Sequence, residues 1–486
     1  MDNESSSIDM PSASAERPTF VVCRTSQGVE VRGSLHRMTR YLAVFEVYNP
    51  YSFLQLSEVL NEFRLVMNDR VVYSGRAVLV NLVNTGIMLV CEVSLNDDGW
   101  IDLDLFEPLH QRGMLEHEFA EFLRDTRRIY QVQSEFKVVV ADMHVLLSDL
   151  HRWMEQVELG VRSLAPAERM TVEREALVKL EGSVMSAVAP IMRQFEETAS
   201  AVTTEQKPVH RSYMKRQIHP LILCSPFTYR TYHKPLGYAG DYEMVSMMLR
   251  DPWEGSTMFA KMLNRLFLNT APVVAHRNRV VYLQDRLHEE TARVAAKGGR
   301  AKMFNLGCGP AGEVQNFIIR DPICDQADLL LLDFNDETLS NTRRNLEELR
   351  GKHQRQLVLN FEQRSVQQIL KDAGKSGAGF NAGSFDFVYC AGLFDYLSDR
   401  ICRRLVEVFY ELVAPGGLLV VTNVEASNPS RNWMEYALDW HLVYRNSAQL
   451  MKLAPAKADP QNCVVRADET GVNIFLEVRK PVDGAK

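Results

Sequence analysis

The sequence predicts an α/β fold: a sheet with helices on both faces, preceded by a small β-barrel and a helical region. Three observations point there. Residues 304–313 read Phe-Asn-Leu-Gly-Cys-Gly-Pro-Ala-Gly-Glu, a strand that ends in a tight glycine turn and opens a helix. About 20 residues further on, Leu329-Leu-Leu-Leu-Asp333 gives a second apolar strand with a carboxylate at its end. Ahead of this unit, the stretch from Phe20 to about Leu105 changes to short β-like runs, and residues 111–205 follow a helical period.

The 486 residues carry a net charge of −7, with 46% hydrophobic and 24% charged residues, an ordinary globular composition. No basic excess supports a nucleic-acid partner. The eight cysteines show no C-x-x-C spacing, so neither a structural zinc site nor any other metal site is expected, and reduced thiols in a cytoplasmic protein are the simplest reading. The first residues lack the charged and apolar regions of a secretory signal, and no apolar run is long enough to span a membrane.

Residues 1–18 are rich in Ser, Asp, Glu and Pro and read as a disordered tail. The barrel is expected over 19–110, with strands at Phe20–Cys23, Leu42–Val47, Phe63–Met67, Arg70–Tyr73, Gly75–Val80 and Met88–Val93. Turns are expected at Asn68-Asp69 and Asn84-Thr-Gly86. This segment resembles a degenerate PilZ-type barrel. It has Arg37 and Arg40 but no Asp/Asn-x-Ser-x-x-Gly turn, which speaks against nucleotide binding and for an interaction role.

Over 111–205, Phe119, Phe122, Leu123, Ile129 and Tyr130, then Met143, Leu146, Leu147 and Leu150, recur at helical spacing. A second stripe runs Met170, Leu177, Leu180, Val184, Val188, Ile191 and Phe195. An antiparallel helical pair burying these stripes is the expectation. Residues 206–295 read as a helical cap interrupted by Tyr232-His-Lys-Pro-Leu-Gly-Tyr-Ala-Gly-Asp-Tyr-Glu243. Its glycines and Pro235 mark a turn, and its tyrosines and Asp241 suit a ligand-facing loop.

In the α/β domain, 296–486, Gly307, Gly309 and Gly312 let the backbone approach a ligand closely, and Asp333 is placed to accept from two ribose hydroxyls. Alone, this fits a dinucleotide as well as another adenosine-bearing cofactor. The end of the chain separates them. Ala414-Pro-Gly-Gly417 lies between a helix and the strand Leu418–Val424, and a hairpin, Asn462–Arg466 with Val472–Val478, closes the sheet. This order resembles the class I S-adenosylmethionine-dependent methyltransferases, whose sheet has seven strands with the last one antiparallel.

The resemblance implies S-adenosyl-L-methionine as cofactor. It implies that Gly307, Gly309 and Gly312 face its amino-acid portion and ribose, that Asp333 holds the ribose, and that Phe334 packs on the adenine. Gln363, Arg364, Ser365 and Val366 fall where the family contacts the adenine ring, and Tyr389–Tyr396, with Ala391, where cofactor and substrate meet. The Asn/Asp-Pro-Pro-Tyr/Phe motif of nucleobase and amide methylation is missing.

The loop Lys234–Tyr242, the segment Gly392–Leu397, the stretch Trp440–Arg445 and the barrel in front resemble one bacterial family. It includes the synthases of 3-hydroxypalmitic acid methyl ester, a quorum-sensing signal. That implies methyl transfer to the carboxylate of a 3-hydroxy fatty acid. Tyr238, Asp241, His441 and Arg445 would then orient cofactor and acceptor, His441 and Arg445 holding the carboxylate from one helical turn apart. His233 and His441 are the candidate bases should the nucleophile be protonated, against a purely structural role for each. The helical stripes serve equally as walls for an acyl chain or as plain core. Another O- or N-methyl acceptor, and a regulatory binding protein with a vestigial catalytic fold, are the alternatives; self-association into a homo-oligomer stays open.

Overall fold

The computed structural model describes residues 19–26, 28–47, 54–67, 70–84, 88–101, 132–373 and 380–482. The expected N-terminal tail, the turns at Asn68-Asp69 and Thr85-Gly86, and the apolar positions Phe119 to Tyr130 lie outside these residues.

Six antiparallel strands close the barrel in the order β1-β2-β3-β6-β5-β4: β1 (Phe20–Arg24), β2 (Glu30–Thr39), β3 (Leu42–Val47), β4 (Val59–Met67), β5 (Arg70–Asn84) and β6 (Leu89–Leu95). Alternating side chains, among them Val21, Phe45, Phe63, Leu65, Tyr73, Leu79 and Val93, fill the interior. Strand β2 was not expected, because Glu-Val-Arg-Gly-Ser-Leu-His-Arg-Met-Thr is polar over most of its length. It pairs because Val31 and Gly33 turn inward, and a Cβ at Gly33 would meet Phe45 at 2.7 Å. The two strands expected at Arg70–Tyr73 and Gly75–Val80 are one. Gly75 does not turn the chain but lets it pass close to Gly99.

The helical region begins with α1 (Ser134–Arg162) and α2 (Pro166–Ser200), which fold back on one another across a short connection. There follow α3 (Lys207–Ile222), α4 (Pro226–His233), α5 (Tyr242–Leu249), α6 (Met258–Phe267) and the long α7 (Ala271–Ala295). In the α2 stripe Leu177, Val184, Val188 and Phe195 are buried and Leu180 and Ile191 half-buried, whereas Met170 is exposed.

The last part alternates β7 (Ala301–Leu306), α8 (Gly312–Arg320), β8 (Ala327–Asp333), α9 (Asp336–Lys352), β9 (Val358–Gln363), α10 (Val366–Asp372), β10 (Phe385–Cys390), α11 (Asp399–Leu412) and β11 (Val413–Val424). Then come α12 (Arg431–Ala437), α13 (Ser447–Met451), β12 (Cys463–Ala467) and β13 (Asn473–Arg479). The sheet runs β12-β13-β11-β10-β7-β8-β9. Strands β7 to β11 are mutually parallel, and β13 opposes both β11 and β12. Apolar cores cover both faces. This is the predicted fold class, with the last strand of the chain antiparallel. Strand β11 starts earlier than expected, since Ala414–Gly417 is already part of it.

Strand β7 lies between β8 and β10, so the chain leaves it first to one side and later to the other. The crevice at the carboxyl ends of β7 and β10 is therefore the switch point where such sheets bind ligands. The barrel is joined to this end of the molecule. Val59 N–H donates to the Gly237 carbonyl at 2.7 Å, and Ser57 Oγ donates to the His441 carbonyl at 2.8 Å.

Candidate functional site

A cavity opens at the switch point. Its floor is the turn after β7. Gly307 and Gly309 have φ of +72° and +50°, conformations that favour glycine. The N–H groups of Gly307 and Cys308 both reach the Leu332 carbonyl, at 2.8 and 2.9 Å, which ties the turn to β8. The Asp333 carboxylate at the end of β8 accepts from Gly309 N–H at 3.1 Å through Oδ2 and from Asn335 N–H at 3.0 Å through Oδ1. Burial pushes its pKa up to about 6, against the pull of these donors. Gly312 also lines the cavity, but its missing Cβ has a packing reason: a Cβ there would sit 2.7 Å from Leu249 Cδ1.

One wall joins Phe334, Tyr238, Ser365 and Val366, with Ala391 beyond them. The Tyr238 ring meets Phe334 edge-on at 4.9 Å, and its hydroxyl lies 3.1 Å from Thr338 Oγ1. Ser365 caps α10 in a reciprocal pair with Gln368. Arg364 lines the cavity while pairing with Asp372 at 2.6 Å. Gln363 lies outside it and donates to the Phe334 carbonyl at 3.1 Å. Asp241 is outside as well. It caps α5 through Met244 N–H at 2.9 Å and pairs with Arg230 at 2.8 Å, so it anchors the loop that carries Tyr238.

The opposite wall holds Asp395, Tyr396, Trp440, Leu442 and Met434, with Gln55 from the barrel. Trp440 Nε1 donates to the Tyr396 hydroxyl at 3.0 Å, and Asp395 accepts from Val424 N–H at 2.7 Å. Met244, Val245 and Met248 of α5 and Val280 and Leu283 of α7 complete an apolar side. None of this wall comes from α1 or α2. Their stripes are spent on a core, where Phe136, Phe195 and Tyr436 make mutual ring contacts near 6 Å, at 5.9, 5.8 and 6.0 Å.

His441 and Arg445 lie outside the cavity. The expected helical turn joining them is absent, because α12 ends at Ala437 and Asp439 adopts φ +48°. All the donating nitrogens of Arg445 are committed: to Asp399 at 2.8 and 2.9 Å, to Asn423 at 2.6 Å, and to the carbonyls of Phe394 and Leu397 at 2.8 and 2.7 Å. It braces the turn that presents Asp395 rather than facing a ligand. The His441 ring is buried, and burial, then Arg211, holds its pKa well below the ordinary value. His233 sits at the end of α4 against Tyr229 at 4.1 Å, also outside the cavity.

Other lining residues carried no signal in the sequence. Glu313 accepts from the Tyr389 hydroxyl at 2.9 Å and from Asn305 at 3.3 Å, and burial raises its pKa. His276 and Arg279 rise into the cavity from α7. A His and an Arg three positions apart on one helix face was the only available hint. Among the described residues no group of three His, Cys, Asp or Glu side chains could hold a metal, and no helix is long and apolar enough to cross a membrane.

No protein-family model and no curated protein matches the chain. Among solved structures, a possible exported protein from Bordetella parapertussis aligns over 66% of this chain and 100% of its own, at 15% identity and a TM-score of 0.40. The N-methyltransferase NodS from Bradyrhizobium japonicum, solved with S-adenosyl-L-homocysteine, aligns over 49% and 98%, at 14% identity and 0.30. Magnesium protoporphyrin IX methyltransferase from Synechocystis, also solved with that ligand, aligns over 42% and 84%, at 11% and 0.29. Similarity this low bears on neither cofactor nor substrate.

Proposed function

We propose that the protein is an S-adenosyl-L-methionine-dependent methyltransferase acting on the carboxylate of a 3-hydroxy fatty acid. The observation that carries the cofactor is the Asp333–Gly309 arrangement. Asp333 is buried, bonded to two backbone N–H groups, and borders the cavity, so its remaining lone pairs suit two ribose hydroxyls. A Cβ built on Gly309 meets nothing within 4 Å, which leaves room for a ligand against the backbone. Phe334 and Val366 offer apolar surface to an adenine ring. The residues present therefore fit the cofactor, which when bound supplies an electrophilic methyl group on sulfur.

For the acceptor, support comes from the walls. Met244, Met248, Leu283, Met434, Trp440 and Leu442 suit an alkyl chain better than a nucleobase or a peptide backbone. A free carboxylate with a pKa near about 4.3 is already the nucleophile at neutral pH and needs no base. The described residues agree with that economy: His276 lines the cavity, but its Nδ1 already accepts from Arg279, which leaves its ring no free lone pair to take a proton. The chain's own contribution would be to orient the two reactants and exclude water, the main requirement of an in-line displacement.

The test is to incubate the protein with methyl-labelled cofactor and 3-hydroxypalmitate and extract the lipid. Labelled methyl ester is expected. Label on a hydroxyl or amine instead would overturn the acceptor, and failure of S-adenosylhomocysteine to bind by calorimetry would overturn the cofactor.

A further inference from the structure

His276 and Arg279 lie three residues apart on α7, and both line the cavity. Arg279 Nη2 donates to His276 Nδ1 at 2.7 Å. With Nδ1 accepting, the ring hydrogen sits on Nε2. His276 is only 8% exposed, yet its Nε2 has no partner in the protein. Buried donors in folded proteins are nearly always satisfied, so an orphan of this kind points to something missing.

Arg279 is the second half of the arrangement. His276 is its one hydrogen-bond partner among the described residues, and no carboxylate of those residues pairs with it; Asp395 and Glu313 act on it from further off. Space for its guanidinium is built in. Gly392 has φ +79°, and a Cβ there would lie 2.9 Å from Arg279 Nη1. Nearby, Asn305 and Asn473 line the same cavity, and each has a buried Oδ1 without a partner.

We propose that Arg279, held in place by His276, forms a carboxylate-binding subsite, with Asn305 and Asn473 receiving a donor group adjacent to that carboxylate. The guanidinium N–H groups not spent on His276 match the two oxygens of a carboxylate, while the His276 Nε2–H, on the far side of the ring, is left for another polar group of the ligand. Two ligands of the proposed reaction carry a carboxylate with a donor close by: the amino-acid end of the cofactor, with its ammonium, and a 3-hydroxy acid, with its hydroxyl. The subsite takes one of them, and the assignment rests on the methyltransferase reading.

Calorimetry with three probes separates the cases: S-adenosylhomocysteine, methylthioadenosine (the same nucleoside without the carboxylate) and 3-hydroxypalmitate. Arg279→Met should weaken one carboxylate ligand by about 10- to 100-fold and leave methylthioadenosine unchanged, with R279K recovering part of the loss. Loss on S-adenosylhomocysteine assigns the subsite to the cofactor, and loss on the acid assigns it to the acceptor. Unchanged binding of both by a folded variant overturns the proposal.

Should the variant unfold, the unaltered protein is compared on each acid and its primary amide; equal affinities overturn the proposal in the same way. If neither nucleoside binds the unaltered protein, the cofactor reading fails and the acid arm alone decides the subsite. If the acid does not bind either, both fall.

Discussion

Arg76, on a barrel strand, donates to Asp439 Oδ2 at 3.0 Å, although 363 residues separate the two. Asp439 is buried with Lys215 at 2.5 Å on its other oxygen. Burial opposes its charge, but Lys215, Arg76 and Lys234 outweigh burial and hold its pKa well below the carboxylate range. Arg76 also donates to the Tyr232 carbonyl at 2.6 Å and lies over the Tyr232 ring. One barrel side chain thus fixes both stretches that flank the cavity, the loop before Tyr238 and the turn that ends α12 just before Trp440.

Arg76→Ala should therefore act twice. Removing one member of a buried ion pair costs about 3 kcal/mol, which urea denaturation would report as a lower midpoint. Methyl transfer should fall in the folded fraction as well. Stability lost with turnover per folded molecule unchanged would show that the barrel is only a passenger.

Gly309→Ala separates ligand contact from folding. Its Cβ meets no protein atom within 4 Å, so stability should drop only by the left-handed strain of about 1–2 kcal/mol. Affinity for S-adenosylhomocysteine should fall by at least about tenfold, a loss near 1.4 kcal/mol, because the methyl group occupies the ligand's place. Gly312→Ala should behave oppositely, since its Cβ collides with Leu249 at 2.7 Å: mainly a stability loss, seen as a lower Tm.

Asp333 sets a pH dependence. Its folded pKa, raised by burial to about 6, lies above its ordinary 3.8. The native state therefore holds this proton more tightly than the unfolded chain does. The group's contribution to stability is greatest below pH 4 and is lost as pH rises towards 6. Cofactor binding needs the acceptor form, so affinity should weaken as pH falls below about 6. Asp333→Asn should bind S-adenosylhomocysteine more weakly at pH 7.5 and show a flatter profile from pH 5 to 7.5. A profile as steep as that of the unaltered protein would place the titrating group elsewhere.

Trp440→Phe removes the hydrogen bond to Tyr396 while keeping an aromatic wall. The expected result is a several-fold rise in KM for the fatty acid and an unchanged Kd for S-adenosylhomocysteine. An equal loss on both would mean that Trp440 serves the cofactor.

What the sequence revealed followed local chemistry. The glycine turn, Asp333 and the apolar strands Leu329–Leu332 and Leu418–Val421 declare themselves by residue type and spacing, and the closing hairpin by its turn. Strand β2 stayed hidden because only a few of its ten residues face inward. Arg445 and His441 looked functional because a charged residue and a histidine among aromatics suggest a ligand. Nothing local shows that Asp399 and three further acceptors already occupy that arginine, or that Asp439 breaks the helix before it. His276 and Arg279 are silent for the converse reason: on α7 they look like ordinary polar positions, and only the fold sets Arg279 against Gly392 and brings both into one cavity with Asn473.

The Ser57–His441 contact spans 384 residues, so it cannot form until nearly the whole chain has left the ribosome. The barrel strands have local partners and can assemble early, but the helical core waits for Trp433 and Tyr436, and the mouth of the cavity for the same last part of the chain. A half-made molecule therefore exposes Trp440's future neighbours as bare apolar surface. Chaperone dependence should rise and fall with how long synthesis pauses before that last stretch is released.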